Sequence, residues 1–188
     1  MSLNIWQKNI DTLKTGLTQG VKIAEIYSVI LKWIYENEYR GGCHDTSVAM
    51  YIVLQESNID CDLFFGEVKT ENQYFDHSWV EINMKIYDAS ICMPLLGGKW
   101  HPPVFSSYCL ENNILSSLVY GASSGKGFDD TGQFVSSVNL SAYSQSHTEN
   151  PNKVWELAKL FGKEAGIKLN IGKLKKQYGH KFRTIKIL

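Results

Sequence analysis

Cys43 stands directly after Gly41 and Gly42 and directly before "HDTSVAMYIVLQE", a stretch that reads as a helix. A cysteine at a helix start meets unpaired backbone N–H groups and the positive end of the helix dipole. Both favour the thiolate, which is one way a protein makes a sulfur nucleophile. Such a nucleophile needs a base or ion-pair partner, commonly a histidine, and the histidine needs a third group to hold its ring. Five histidines are available: His44, His77, His101, His147 and His180. His44 neighbours Cys43, but successive helical residues point about 100° apart, which places it poorly for pairing. His101, His147 and His180 have no evident partner and are expected to face solvent. His77 opens the alternating stretch "HSWVEI", with Trp79 and Glu81 on its face and Ser78, Val80 and Ile82 on the other. Asp88 lies in "KIYDAS", the strand expected to return. A hairpin loop of even length around Asn83-Met84 puts His77 and Asp88 on one face; an odd loop without a bulge separates them. The candidate catalytic set is Cys43, His77 and Asp88.

The elements that must position these residues follow from periodicity. Trp6, Ile10, Leu13 and Leu17 fall at helical spacing, and Ile23, Ile26, Tyr27, Ile30, Leu31 and Ile34 form a clearer stripe. A third helix is expected from about Cys43 to Glu56, ended by "SNID" with Asn58 able to turn left-handed. The period then changes to two. "CDLFFGEV" reads as a strand with a glycine bulge or bend, and two more strands flank Asn83-Met84. Residues 94–150 are rich in Gly, Ser and Pro, and long loops there are expected to line a cleft, with Trp100 and Pro102-Pro103 as rigid walls. Asn150-Pro151 reads as a cap and first turn of a helix reaching Ala165 and stopped by Gly166. A short basic helix and a last strand in "KFRTIKI" close the chain. Helices followed by strands indicate an α+β domain.

"GGCHDTSVAMYIVLQESNIDCDLFFGEV", "HSWVEI" and "KIYDAS" together resemble the core of the transglutaminase-like superfamily, which has the papain-like cysteine peptidase fold. The matching positions are Gly42, Cys43, Ser47, Leu54, Ile59, Gly66, Val68, His77, Trp79, Glu81 and Asp88. The resemblance covers residues 20–92; residues 93–150 read as a loop-rich region and 151–188 as a basic helical segment of one domain spanning 1–188. It implies a nucleophile helix packed on an antiparallel sheet and a Cys43-His77-Asp88 triad acting on an amide or peptide bond. The enzyme would be a cysteine peptidase or amidase, or would transfer the acyl group to an amine. It also implies an oxyanion met by the Cys43 backbone N–H and a second donor from upstream, with Trp6, Gln7, Trp33 and Tyr39 as candidates. The alternative is a peptide-binding module that keeps the fold without chemistry.

Composition bounds the remaining classes. The 188 residues are 44% apolar and 20% charged, ordinary for one globular domain. No apolar run is long enough for a membrane span, and the start lacks a basic-then-apolar leader. The four cysteines, Cys43, Cys61, Cys92 and Cys109, form no CxxC pair, so free thiols in a reducing, cytoplasmic setting are expected, with no metal and no cofactor. "GASSGKG" (121–127) departs from a phosphate loop in spacing and in the residue after Lys126. Net charge is zero, yet residues 1–150 hold 9 Lys and Arg against 17 acids, and residues 151–188 hold 10 against 2. A basic tail can mark a nucleic-acid surface. Its sparse aromatics favour docking on the acidic remainder of the same domain, or a plain solvated face, so the expected partner is a peptide or protein amide substrate, not nucleic acid or membrane.

Overall fold

The computed structural model describes residues 3–188. Helix α1 (Leu3–Leu13) runs into a 3-10 turn at Lys14–Gly16, then α2 (Gly20–Glu36) and α3 (Cys43–Glu56) follow. Strands β1 (Asp62–Lys69), β2 (Tyr74–Ile82) and β3 (Lys85–Tyr87) come next, and a 3-10 turn at Ser90–Cys92 leaves the sheet. The region expected to be loops holds a small hairpin, β4 (Val104–Phe105) with β5 (Tyr108–Cys109), then β6 (Val119–Ala122). Helices α4 (Asp130–Ser137) and α5 (Leu140–Gln145) complete it. Helices α6 (Lys153–Glu164) and α7 (Ile171–Tyr178) and strand β7 (Thr184–Ile185) end the chain. None of the described helices is long and apolar enough to cross a membrane.

The main sheet has the order β3-β2-β1-β6, antiparallel throughout, and β7 joins the same edge of β1 in parallel. Helices and sheet therefore form a mixed α+β architecture. Its β2–β3 loop is the two residues Asn83 and Met84, with φ 50° and 62°, as a tight hairpin matched to strand twist requires. The loop is even, so His77, Trp79 and Asp88 share one sheet face. The irregularity in β1 falls between Glu67 and Val68, where β6 pairs, and not at Gly66. Gly66 serves close approach instead: a Cβ there would stand 2.6 Å from the Lys186 carbonyl of the returning C-terminus.

Two apolar clusters lie on the two faces of the sheet. Leu63, Phe65, Val80 and Ile82 join the buried stripes of α1, α2, α3 and α6 in the main core. Val68, Trp79, Ile91 and Tyr120 form the second, with Phe64 stacked on Trp79 at 5.9 Å. Helix α6 begins at Lys153, two residues later than the proline suggests. The Asn150 side chain accepts from the Asn152 N–H at 3.0 Å, holding Pro151 and Asn152 in a turn ahead of the helix.

Val154, Trp155, Leu157, Ala158 and Phe161 of α6 are buried against the main core, and α6 packs along α3. Ending the chain at Asn150 uncovers that surface of α3. Such a truncation should lose cooperative unfolding in urea and bind a hydrophobic dye; a soluble product with a sharp transition would show that 151–188 is a separable appendage.

Candidate active site

The start of α3 is built by close packing. Gly42 precedes it with the Tyr39 ring against its backbone; a Cβ would sit 2.1 Å from that ring. Tyr39 is fixed in turn because its hydroxyl donates to Asp45 Oδ2 at 2.5 Å. Asp45, in the first helical turn, is 4% exposed. It also accepts from Tyr143 Oη at 2.6 Å and pairs with Lys153 Nζ at 2.9 Å and His147 Nε2 at 3.0 Å. Burial by itself would raise the Asp45 pKa, but the Tyr143 and Tyr39 hydroxyls and Lys153 outweigh it and hold the carboxyl below its ordinary value. Arg183, from the last segment, lies 4.3 Å over the Tyr143 ring and donates to the His44 carbonyl at 3.2 Å. Lys153 and Arg183 therefore bring the basic C-terminal segment onto the helix that carries Cys43.

Cys43 is half-buried and opens into a cleft of about 900 Å³ that His44 and His77 also line. Both imidazoles stand beside it in that lining. Burial pushes the thiol pKa up, yet the neighbouring His44 and His77 imidazoles carry it well below the usual value. The contrast with two other cysteines is large: burial pushes Cys61 and Cys92 up to about 12. His77 Nε2–H donates to Asp88 Oδ2 at 2.7 Å, which leaves Nδ1 for the sulfur. Burial favours a neutral His77, but Asp88 and then Cys43 raise its pKa to about 10. Together these shifts describe a thiolate–imidazolium pair at neutral pH.

Asp88 is 1% exposed and fully bonded. Beyond His77, Oδ2 accepts from Tyr120 Oη at 2.9 Å. Oδ1 accepts from Ser90 Oγ at 2.9 Å and from the backbone N–H groups of Ser90 and Ile91 at 3.1 and 3.2 Å. Burial would raise this carboxyl's pKa; His77, Tyr120 and Ser90 bring it below the ordinary value. The sequence-derived triad is thus brought together, in chain order, on one side of the cleft.

Several expectations are corrected. His44 shares the cleft lining with Cys43, its ring held by Ser78 Oγ at 2.7 Å. His101 faces the cleft, stacked on Phe75 at 5.9 Å, and His147 pairs with Asp45; only His180 of the three is exposed. None of the four upstream oxyanion candidates lines the cleft. Trp6 Nε1 donates to Glu111, Tyr39 donates to Asp45, Trp33 packs on Phe161, and Gln7 is exposed. Trp100 and Pro102-Pro103 do not form its walls either, although Pro94 to Lys99 do. Trp100 instead stacks on Trp6 at 6.4 Å. Tyr120 and Ser90 were not singled out, since a lone hydroxyl carries no sequence signal of what it will bond.

The far wall of the cleft is acidic. Glu67 and Asp76 sit directly opposite each other across β1 and β2, an arrangement like charges disfavour. Burial first, then Asp129 and Glu67, raise Asp76 to about 6 despite the Asp129 N–H it accepts at 2.8 Å. The glycine-rich stretch 121–127 runs from strand β6 toward helix α4. Its Ser124 N–H is nevertheless taken by Glu67 at 2.7 Å, and Asp129 caps α4 through the Gly132 N–H. Carboxylates and serine hydroxyls already take the backbone N–H groups that a phosphate would need. Among the described residues no group of three or more His, Cys, Asp or Glu is gathered to hold a metal ion.

Two substitutions probe these assignments. Trp100→Ala should lower the melting temperature by removing the stack on Trp6, and leave the alkylation rate of Cys43 unchanged. Asp45→Ala strands two tyrosine hydroxyls and should cost roughly 2–3 kcal/mol in urea denaturation. The Asp45 pKa is lower folded than unfolded, so its stabilisation is present above about pH 4 and lost as pH falls toward the folded value. The gap between wild type and Asp45→Ala should therefore narrow in acid.

In comparisons with known proteins, no family model, no curated protein and no solved structure matches this chain.

Proposed function

We propose that this protein is a cysteine enzyme of the papain-like, transglutaminase-like kind, cleaving an amide or peptide bond through an acyl-enzyme. The observation that carries the reading is that His77, bonded to the buried Asp88 at 2.7 Å, lines the same cleft as Cys43. Cys43 Sγ attacks the carbonyl carbon, and the C=O electrons move onto oxygen. The oxyanion faces the Cys43 backbone N–H at the helix start, where the first turn's donors have no intrahelical partner. The intermediate collapses as the C–N bond breaks, and the His77 imidazolium gives its proton to the departing amine. Water then attacks the thioester while His77 takes its proton, and the thiolate is restored. An amine in place of water gives acyl transfer by the same steps.

Asp88 orients the ring and stabilises its charge without taking the proton. A non-catalytic peptide-binding module has no use for a thiol held as a thiolate, which is why the enzyme reading is preferred. Four free thiols fit a reducing, cytoplasmic setting.

Iodoacetamide should modify Cys43 well before Cys61, Cys92 or Cys109, with a rate midpoint below the roughly 8.5 of a free cysteine. His77→Ala should raise that midpoint, because the cation beside the sulfur is lost. Asp88→Asn should keep the fold and lower acyl-enzyme turnover on the order of 10²–10⁴-fold. The His77 pKa near 10 sets the alkaline limb: above it the ring no longer carries the proton for the leaving group, so amide turnover falls there while alkylation does not. Equal reactivity of all the thiols in the native protein would overturn the enzyme reading.

A further inference from the structure

The acyl-transfer reading calls for a donor to the oxyanion besides the Cys43 N–H, and none of the upstream side chains that could supply one lines the cleft. We propose that His44 is that donor, a second catalytic imidazole that hydrogen-bonds the sulfur at rest and the substrate's oxygen once the tetrahedral intermediate forms. The inference rests on the proposed cysteine chemistry and adds a residue to it.

The tautomer follows from Ser78. Its hydroxyl is fully buried, and its side-chain partner among the described residues is His44 Nδ1 at 2.7 Å. A buried O–H must find an acceptor. Donating to Nδ1, it leaves the ring proton on Nε2, and Nε2–H is then the donor that His44 can offer in the cleft it shares with Cys43. The ring is held in that pose by Phe65 at 5.6 Å and Tyr143 at 6.3 Å, while Arg183 anchors the His44 backbone through its carbonyl. His44 lines the cleft, so a substrate carbonyl bonded to Cys43 lies beside the same ring.

The two imidazoles are thereby set to different tasks. His77 is tied to an ionised carboxylate and is fitted to carry a charge and exchange a proton. His44 is tied to a neutral hydroxyl, which fixes a donor without supplying a counter-ion. As Sγ bonds to the carbonyl carbon, negative charge leaves sulfur and appears on the neighbouring oxygen. A donor already next to sulfur needs only a short shift to follow it, and its bond strengthens as the intermediate forms. Interactions stronger in the transition state than in the ground state are the ones that accelerate the step.

Two reagents separate this role from thiolate formation. Alkylation by iodoacetamide displaces iodide at a saturated carbon and creates no oxyanion. Acylation by p-nitrophenyl acetate forms the Sγ–C bond, passes through an oxyanion, and breaks the ester C–O bond to release p-nitrophenolate with its electron pair. Both rates are measured across pH for wild type, His44→Gln and Ser78→Ala, each checked for an unchanged circular dichroism spectrum and thermal transition. His44→Gln should retain the alkaline plateau of alkylation, with its midpoint moved upward, and lose on the order of 10²-fold in the acylation plateau. Ser78→Ala, which leaves the ring but frees its tautomer, should show a smaller loss confined to acylation, and it decides the matter if His44→Gln does not fold. Equal falls in both plateaus for His44→Gln, or none in acylation for either variant, would overturn the role of His44. Wild type that is alkylated at Cys43 but acylated no faster than Cys43→Ala would overturn the enzyme reading itself, and with it this one.

Discussion

A carboxylate that is 1% exposed holds the centre of this protein. A buried charge is tolerated only where donors surround it, and the donors around Asp88 come from separate parts of the chain. His77 arrives on β2, Tyr120 on β6, and Ser90 with Ile91 from the 3-10 turn that follows β3. The backbone of the same residue exchanges two hydrogen bonds with Val104, at 2.8 and 2.9 Å, and Tyr27 of α2 shares its hydroxyl proton between the Asp88 and Val104 carbonyls. One residue thereby ties two helical turns, the sheet and the small hairpin to a common point. Weakening any of these contacts leaves a charge partly unpaired in an apolar setting, so the network is cooperative and geometrically narrow.

Asp45 holds the other side of the site by the same logic with opposite partners. Asp88 is matched to a histidine inside the triad; Asp45 is matched to Lys153 and to two tyrosines outside it. Its position in the first turn also suits the helix dipole. The result is that α3, which carries Cys43, is clamped at its start by a segment nearly 140 residues away in the chain, since Arg183 holds the carbonyl of His44. That accounts for the uneven charge along the sequence. Part of the basic excess of the last 38 residues neutralises acids of the first 150: Lys153 at Asp45 and Lys186 at Glu81, 2.6 Å apart. The lysines of α7, Lys173, Lys175 and Lys176, remain at the surface.

The two apolar clusters give this polar machinery its rigidity. The main core seats α3 against the sheet, and the smaller one seats Trp79 and Tyr120 beneath His77. Trp79 Nε1 donates to Glu81 at 2.8 Å, and Lys186 closes over the same carboxylate. Trp79 is thereby fixed by packing on one side and by a hydrogen bond on the other.

What was legible in the sequence was whatever local physics decides. The span of α3 could be read from Gly42 to Asn58, because a helix start and a left-handed stop are set by neighbouring residues. The shared face of His77 and Asp88 could be read conditionally, because strand residues alternate and a two-residue turn preserves parity. Other features were decided only by the tertiary structure. His44 looked misplaced by helical rotation alone; a hydroxyl on another element, Ser78, holds its ring in the cleft that Cys43 also lines. Trp100 looked like a cleft wall beside two prolines, but α1 offers it the Trp6 ring and it leaves the cleft. Tyr120, Tyr143 and Arg183 gave no local sign of their roles. Hydrogen bonds to buried charges are satisfied by whichever donors the fold delivers, and which donors those are depends on contacts distant in the chain that spacing does not encode.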